Sequence, residues 1–413
     1  MSRICVITAG HLSTCPRMLK AADAFAEAGH AVRVVSTRFS EWATDADRAV
    51  RRTRSWPWTA VDYDRDRAYQ TWLTSGFRFR SAQAVARWAG PDRLPLALAA
   101  RAFGRVHPEL VDAALAEPAD FFYGGTTGAL AAVAVAGQSS GRPYAIDLED
   151  VHTAEQEDGP GARLAHALAG RIESLILPGA AFLTAGSTAI AEAYHQRYGL
   201  TPTPINNTFP LPGRRPDFER LPGAPLQLYW FSQTIGPNRG LEDVVHAAGI
   251  CGTELDLHLR GNPMPGYLDS LEHLRAGIAP RLRVHHHAPV DPDAMVDSCR
   301  GYDIGLSLEQ GHVLNRALCL TNKAFTYMLA GLAVVLTDTP GQAPLARDIG
   351  EAACVYRPGD ALALAAHLNA WANDPQRLLA ARQASWAAAA RRWHWEHPLE
   401  RGALLAAVQH VLA

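Results

Sequence analysis

The chain has 413 residues, with 39 Lys plus Arg against 41 Asp plus Glu and a formal net charge of −2. That length exceeds what one hydrophobic core usually holds and predicts two domains of about 200 residues. The near-neutral balance excludes a global pull towards nucleic acid or anionic membrane, and no apolar run reaches the roughly 18 residues of a spanning helix.

The opening MSRICVITAG lacks the long apolar core of a signal peptide and reads directly as a strand. Six cysteines (Cys5, Cys15, Cys251, Cys299, Cys319, Cys354) are scattered without C-x-x-C spacing. They read as reduced core residues, and a cytoplasmic location is expected. A strand at Ile4 to Ala9, a helix from about Pro16 to Ala28 capped by Gly29, and a strand from Ala31 to Ser36 form a βαβ unit. Its loop carries Gly10, His11, Ser13, Thr14 and Arg17 at the C-terminal edge of the first strand, where open α/β sheets place ligands. The same residues also suit helix capping.

The stretch from Glu41 to Pro118 reads as an irregular insertion. It holds Trp42, Trp56, Trp58, Trp72 and Trp88, and from Gly76 to Arg105 its only acidic residue is Asp92 against six arginines. A solvated helical face with packed tryptophans is preferred here over a surface that lies on a membrane or meets an acidic acceptor. Alternation resumes with a strand at Phe121 to Tyr123 ending in Gly124 and Gly125, a helix over Thr127 to Gly137, and a strand at Tyr144 to Leu148. The following loop gathers Glu149, Asp150, His152 and Glu155, a grouping suited to acid/base work or to binding sugar hydroxyls, or simply to capping. Leu164 to Leu177 reads as a helix, Ala181 to Thr184 as a strand, and Ser187 caps a helix to about Tyr198.

Prolines recur at 202, 204, 210, 212, 216, 222 and 225, too densely for a helix or a central strand, and mark an interdomain linker. The α/β pattern then restarts: a strand at Leu226 to Phe231, the loop SQTIGPNRG, a helix from Leu241 to Ala248, strands at Leu255 to Leu259 and Leu282 to His286, a helix from Asp291 to Cys299, and a strand from Ile304 to Leu308 ending at Glu309. Neighbours on a strand point to opposite faces, so His285 to His287 cannot share one ion, and no metal is expected. From Ala324 to Ala330 nearly every side chain is apolar, which predicts a helix buried all round; Gly331 ends it, and Leu332 to Leu336 is a strand covered on both faces. The polar residues of that helix, Thr321, Asn322, Lys323 and Thr326, gather at its start. A cation there opposes the helix dipole unless an anion such as phosphate binds between them. A helix near Gln342 to Asp348, a strand at Ala353 to Tyr356 and a helix from Asp360 complete this half. Two doubly wound halves on a proline-rich hinge predict a cleft between their strand C-termini.

Two Rossmann-like halves, the loop SQTIGPNRGLED and above all NKAFTYMLAGLAVV followed by TDTPG resemble the GT-B glycosyltransferases, specifically bacterial members of family 4, which retain anomeric configuration. The resemblance implies an α/β fold of two Rossmann-like doubly wound domains facing each other across a cleft. The expected organisation is an acceptor-side domain over 1–203, a linker over 204–225, a nucleotide-sugar domain over 226–390 and a C-terminal helix over 391–413 packing back on the first domain. It implies transfer of a sugar from a nucleoside diphosphate sugar to a small-molecule, natural-product or glycan acceptor, as in antibiotic biosynthesis, without metal or other cofactor.

Residue by residue, the resemblance makes Arg239 stand in for the family's donor-phosphate lysine, beside Gly240, and puts Gln233 where the family has an arginine. Thr326 falls at the glutamate that grips the donor ribose, and Leu318 at the other glutamate of that motif. Glu309, Asn315, Arg316 and Asn322 are candidates for the missing donor contacts. Glu149, Asp150 and His152 fall near the catalytic His or His-Glu pair of the first domain, so these three, with Arg239 and Lys323, are the catalytic candidates. Gly10, His11, Ser13 and Arg17 become an acceptor-side loop. The departures at Gln233, Leu318 and Thr326 leave two rivals, an epimerase or phosphorylase on the same fold and a non-catalytic partner protein.

Overall fold

The computed structural model describes residues 1–157, 159–221 and 223–413; the linker proline Pro222 lies outside the described residues. The chain divides into two compact units, Met1–Ile205 with Pro398–Ala413, and Asn206–His397. Each is built on one twisted parallel sheet with helices on both faces.

In the first unit the strands are β1 (Arg3–Thr8), β2 (Ala31–Arg38), β3 (Trp58–Asp62), β4 (Phe121–Gly125), β5 (Tyr144–Leu148), β6 (Leu183–Ala185) and β7 (Thr203–Pro204). They lie in the order β3-β2-β1-β4-β5-β6-β7, all parallel. In the second unit β8 (Leu226–Ile235), β9 (Leu255–Pro263), β10 (Leu282–His287), β11 (Ile304–Ser307), β12 (Ala333–Thr337) and β13 (Ala353–Tyr356) lie in the order β10-β9-β8-β11-β12-β13, again all parallel. Strand order reverses between β1 and β4 in one sheet and between β8 and β11 in the other. At such switch points the flanking loops part and leave room for a ligand at the strand C-termini.

The continuous apolar runs are explained by two-sided cover. Every residue of β4, β5, β11 and β12 is buried, and each large aliphatic side chain so covered contributes about 1.5–3 kcal/mol. The helix Asn322–Ala330 is buried from Lys323 onward and ends at Gly331, whose φ of +74° is one that only glycine adopts without strain. Tyr327 from this helix lies across β11 at Gly305, where an added Cβ would stand 2.1 Å from the ring. Its hydroxyl donates to the Leu306 carbonyl at 3.0 Å, so the glycine lets helix and sheet close on one aromatic residue.

Two expectations change. The stretch 41–118 is regular: it contributes helices Glu41–Thr53, Tyr69–Ala89, Leu96–Phe103 and His107–Leu115 and the edge strand β3. Its tryptophans are not uniformly packed either, since Trp56 is buried while Trp42 and Trp88 are exposed. Second, β8 runs on to Ile235 through a register irregularity between Phe231 and Thr234, so Ser232 and Gln233 belong to a bulged strand end and not to a free loop.

Pro398–Ala413 groups with the first unit, where Arg401 Nη2 meets Glu27 Oε2 at 2.7 Å. No helix among the described residues is long and apolar enough to cross a membrane.

Candidate active site

In the second unit the switch point brings three cations to one carboxylate. The loop after β8 closes on β11 at Gly240, where φ is +76° and an added Cβ would lie 2.6 Å from Gln310 Nε2 and 2.8 Å from Leu308 Cβ. This contact holds the preceding residue, Arg239, against the end of β11. Glu309 stands two residues beyond β11 and is 4% exposed. Its Oε1 accepts from Lys323 Nζ at 2.8 Å and its Oε2 from Arg316 Nη1 at 3.1 Å. Burial alone would push the Glu309 carboxyl up, but Lys323 and Arg316 outweigh it and hold it down at about 2.

Arg239 completes the group. Burial lowers its guanidinium, the neighbouring Arg316 lowers it further and Glu309 raises it, for a net downward shift. Among the described residues its guanidinium makes no hydrogen bond. Like charges held together around a single carboxylate leave an excess of positive charge that a bound anion would neutralise.

The start of helix Asn322–Ala330 adds donors. Thr321 occupies the N-cap, yet its side chain caps nothing and its buried hydroxyl has no partner among the described residues. No side chain caps this helix start, so its first N–H groups remain open to a ligand. Thr326 is fully buried and its hydroxyl donates to the Asn322 carbonyl at 2.8 Å, which leaves only its acceptor lone pairs free of the helix. Asn315 and Arg316 sit on a short helix, Leu314–Leu318; Asn315 Oδ1 accepts from Cys319 Sγ at 3.4 Å. Gln233 is exposed on the bulged end of β8. Sequence reasoning missed Gln342, which is fully buried with both amide atoms unpartnered among the described residues; its place two residues after TDTP was the available signal.

In the first unit the loop after β5 forms a second cluster. His152 is 2% exposed; its Nδ1 meets Glu173 Oε1 at 3.0 Å, and Nε2 has no hydrogen-bond partner among the described residues, Glu155 Oε1 standing 3.9 Å away. Tyr194 and Tyr198 donate to the two Glu173 oxygens at 2.7 Å each. Burial pulls the imidazole down, but Glu173, then Glu155 and Asp150, more than reverse this and raise it to about 9. Glu173 and the two tyrosines, on helices Pro160–Ile176 and Thr188–Tyr198, were not foreseen, because they lie 21 or more residues away and only the fold joins them. Glu149 is raised to about 7 by burial and by Asp150, with Arg17 opposing. Asp150 contributes its carbonyl to Tyr194 Oη at 3.1 Å.

The charged His152 stabilises the fold. Its folded value lies above the ordinary 6.5, so the contribution is complete below about pH 6.5 and is lost as pH rises through about 9. We expect chemical denaturation to show stability falling by about 3 kcal/mol over that window, and His152→Gln to remove the slope; an unchanged slope in the variant would assign it elsewhere.

The loop after β1 is spent largely on structure. His11 is 1% exposed; its Nε2 accepts from the N–H groups of Phe39 and Ser40, both at 3.1 Å, so its proton sits on Nδ1, donated to Asp47 Oδ2 at 2.6 Å. Ser13 N donates to the other Asp47 oxygen and Thr14 Oγ1 to the His11 carbonyl. An added Cβ on Gly10 would lie 2.9 Å from Cys15 Sγ. Arg17 is buried in a two-pronged pair with Asp147, Nε to Oδ2 at 2.7 Å and Nη2 to Oδ1 at 2.5 Å, while Nη1 donates to the Ile205 carbonyl.

Among the described residues, Asp256, His258 and His285 bring ligand-type atoms within 4.8 Å of one another. Pairing of β9 with β10 creates this cluster, which one strand alone could not. The His258 nitrogens already bond His287 Nε2 at 2.9 Å and Gln227 Oε1 at 2.8 Å, and its ring stacks on His285 with planes 14° apart. An ion lies in the plane of each imidazole it binds, and parallel stacked rings do not aim their lone pairs at one point.

A family model described as glycosyl transferase-like matches residues 241–402. Comparison with curated proteins finds no sequence match. Among solved structures, HepE of Anabaena in complex with UDP and glucose is similar at 17% identity and TM-score 0.64, over 100% of this chain and 99% of that one. Sucrose-phosphate synthase of Thermosynechococcus elongatus is similar at 13% identity and TM-score 0.68, over 100% of both chains. S. aureus TarM is similar at 8% identity and TM-score 0.62, over 100% of this chain and 99% of that one. The chain has the α/β fold of these proteins, two Rossmann-like parallel sheets of the GT-B class.

Proposed function

We propose that this chain is a glycosyltransferase that moves a sugar from a nucleoside diphosphate sugar to a small-molecule or glycan acceptor, with retention of anomeric configuration. The observation that carries the reading is the group of Arg239, Arg316 and Lys323 around the single carboxylate of Glu309, beside an uncapped helix start at a switch point. Two cationic charges in excess of the carboxylate suit a diphosphate. The glycosyl transferase-like match spans three of these four residues, and HepE carries UDP, or UDP-glucose, in its complexes.

In the reaction, the bond from the anomeric carbon to the diphosphate oxygen breaks while the acceptor oxygen bonds to that carbon, and the acceptor's proton passes to the departing phosphate. Negative charge grows on the diphosphate as it leaves. Arg239, Lys323 and the N–H groups at Asn322 are the donors that would stabilise it, in a site fixed beforehand by Gly240 and β11. Within the first unit, His152, oriented by Glu173, is the side chain best equipped to donate a proton or hydrogen bond.

A panel of UDP-, GDP-, ADP- and dTDP-sugars read by thermal shift tests the reading. A ligand that binds only the folded chain raises the melting temperature, by about 2.7 kcal/mol of added stability at a hundredfold excess over Kd. We expect one nucleotide class to do so; no shift with any of them removes the donor site, and sugar release or isomerisation without an acceptor replaces transfer by hydrolysis, phosphorolysis or epimerisation.

A further inference from the structure

The helix Tyr69–Ala89 has its polarity turned outward. Its fully buried residues are small, Ser75, Gly76, Ala82 and Ala86, and they let it lie close on the helix Leu96–Phe103. On the opposite side Tyr69, Leu73, Phe77 and Trp88 fall at spacings that repeat with the helix turn, with Ala84 between them. They are 56%, 45%, 69% and 88% exposed. Single exposed hydrophobic residues are ordinary on a protein surface; four large ones on one side of a single helix are not.

The charge beside these residues indicates what covers them. Arg80 and Arg87 are exposed on the same side. Neither has a carboxylate partner among the described residues, and Arg87 reaches only Gln83 Oε1 at 3.4 Å. Arg78, on the inner side, is by contrast held by Glu109 at 2.6 Å. The helix contains no acidic residue. A second copy docking through this face would bring its own Arg80 and Arg87 to the same patch. A phosphate-bearing lipid surface satisfies both features at once: rings and aliphatic chains enter the acyl boundary while the guanidinium groups meet headgroups.

We propose that the outer face of helix Tyr69–Ala89 docks the protein on an anionic membrane surface, the helix lying in the interface without crossing it. The proposal is independent of the transfer reaction, because docking is read without any substrate. The full chain is floated with vesicles of phosphatidylglycerol mixed with phosphatidylcholine and, separately, of phosphatidylcholine alone, at low and high salt. Binding to the anionic vesicles is expected, weakened by salt and at least about tenfold stronger than to neutral ones, each arginine at the surface being worth about 1 kcal/mol. The double variant Phe77→Ser, Trp88→Ser should lose about tenfold or more in partitioning; Arg80→Gln, Arg87→Gln should lose a similar factor on anionic vesicles only. These side chains are exposed, so an unchanged melting temperature controls for folding. The proposal is overturned if the chain fails to float with anionic vesicles at low salt, if both variants bind like the parent, or if sedimentation shows a dimer that the aromatic variant dissolves while vesicles capture nothing.

Discussion

Replacing Lys323 by alanine is expected to lower kcat/KM for sugar transfer by two to three orders of magnitude, the scale seen when one preorganised donor to a developing oxyanion is lost. The side chain is buried, bonded to Glu309 at 2.8 Å, and its Nζ lies 5.9 Å from the centre of the Trp230 ring. Its removal also strips a buried carboxylate of its closer partner, so the variant should lose stability as well, by about 3 kcal/mol, with Arg316 limiting the damage. Activity and stability must therefore be separated, and Arg239→Ala does so. Arg239 is half-buried and bonds no described residue, so its loss should leave chemical denaturation nearly unchanged while kcat/KM falls by a comparable factor. Folded variants of both residues that turn over at the parental rate would remove the proposed phosphate site.

A second large effect is expected in the first unit, on stability. Asp147→Ala should cost about 3–5 kcal/mol, because it leaves the Arg17 guanidinium buried without its counter-charge. Asp147 is fully buried, accepts from Arg17 at 2.5 and 2.7 Å, and takes a third hydrogen bond from Thr184 at 2.5 Å. Burial pushes its carboxyl up and Arg17 more than cancels this, so the folded value lies below the ordinary one. The sign follows: the stabilisation is present above the unfolded carboxylate range and is lost as pH falls through the lower folded value. Urea denaturation of Asp147→Ala near neutral pH reads the difference, and a loss below about 1 kcal/mol would mean that water reaches Arg17 in the folded chain.

These two residues also mark where the sequence was legible. Lys323 could be found from its own helix, because an apolar run whose only polar residues gather at one end is a local pattern, and the strand that follows gives its place in the sheet. Arg17 was equally visible as a polar residue after β1, but its partner stands 130 positions away, and nothing local distinguishes a guanidinium facing ligand from one buried on a carboxylate. His11 was obscured in the same way: its partners Phe39 and Ser40 lie just before the stretch that reads as irregular, and Asp47 lies within it. That stretch misled because its long helix turns small residues inward and aromatic ones outward, the reverse of the pattern by which a surface helix is recognised. The fold was easier to read because alternating buried strands and helices repeat in both halves; the pairing of charges depends on contacts across each sheet, which periodicity does not encode.

The return of Pro398–Ala413 to the first unit has a consequence for how the chain comes to be folded. As synthesis proceeds, the second unit, a single uninterrupted stretch, has all its residues available while the first still lacks its last helix and the Arg401–Glu27 tie. The half that begins the chain is thus the later to be completed, the reverse of the usual order in which domains mature.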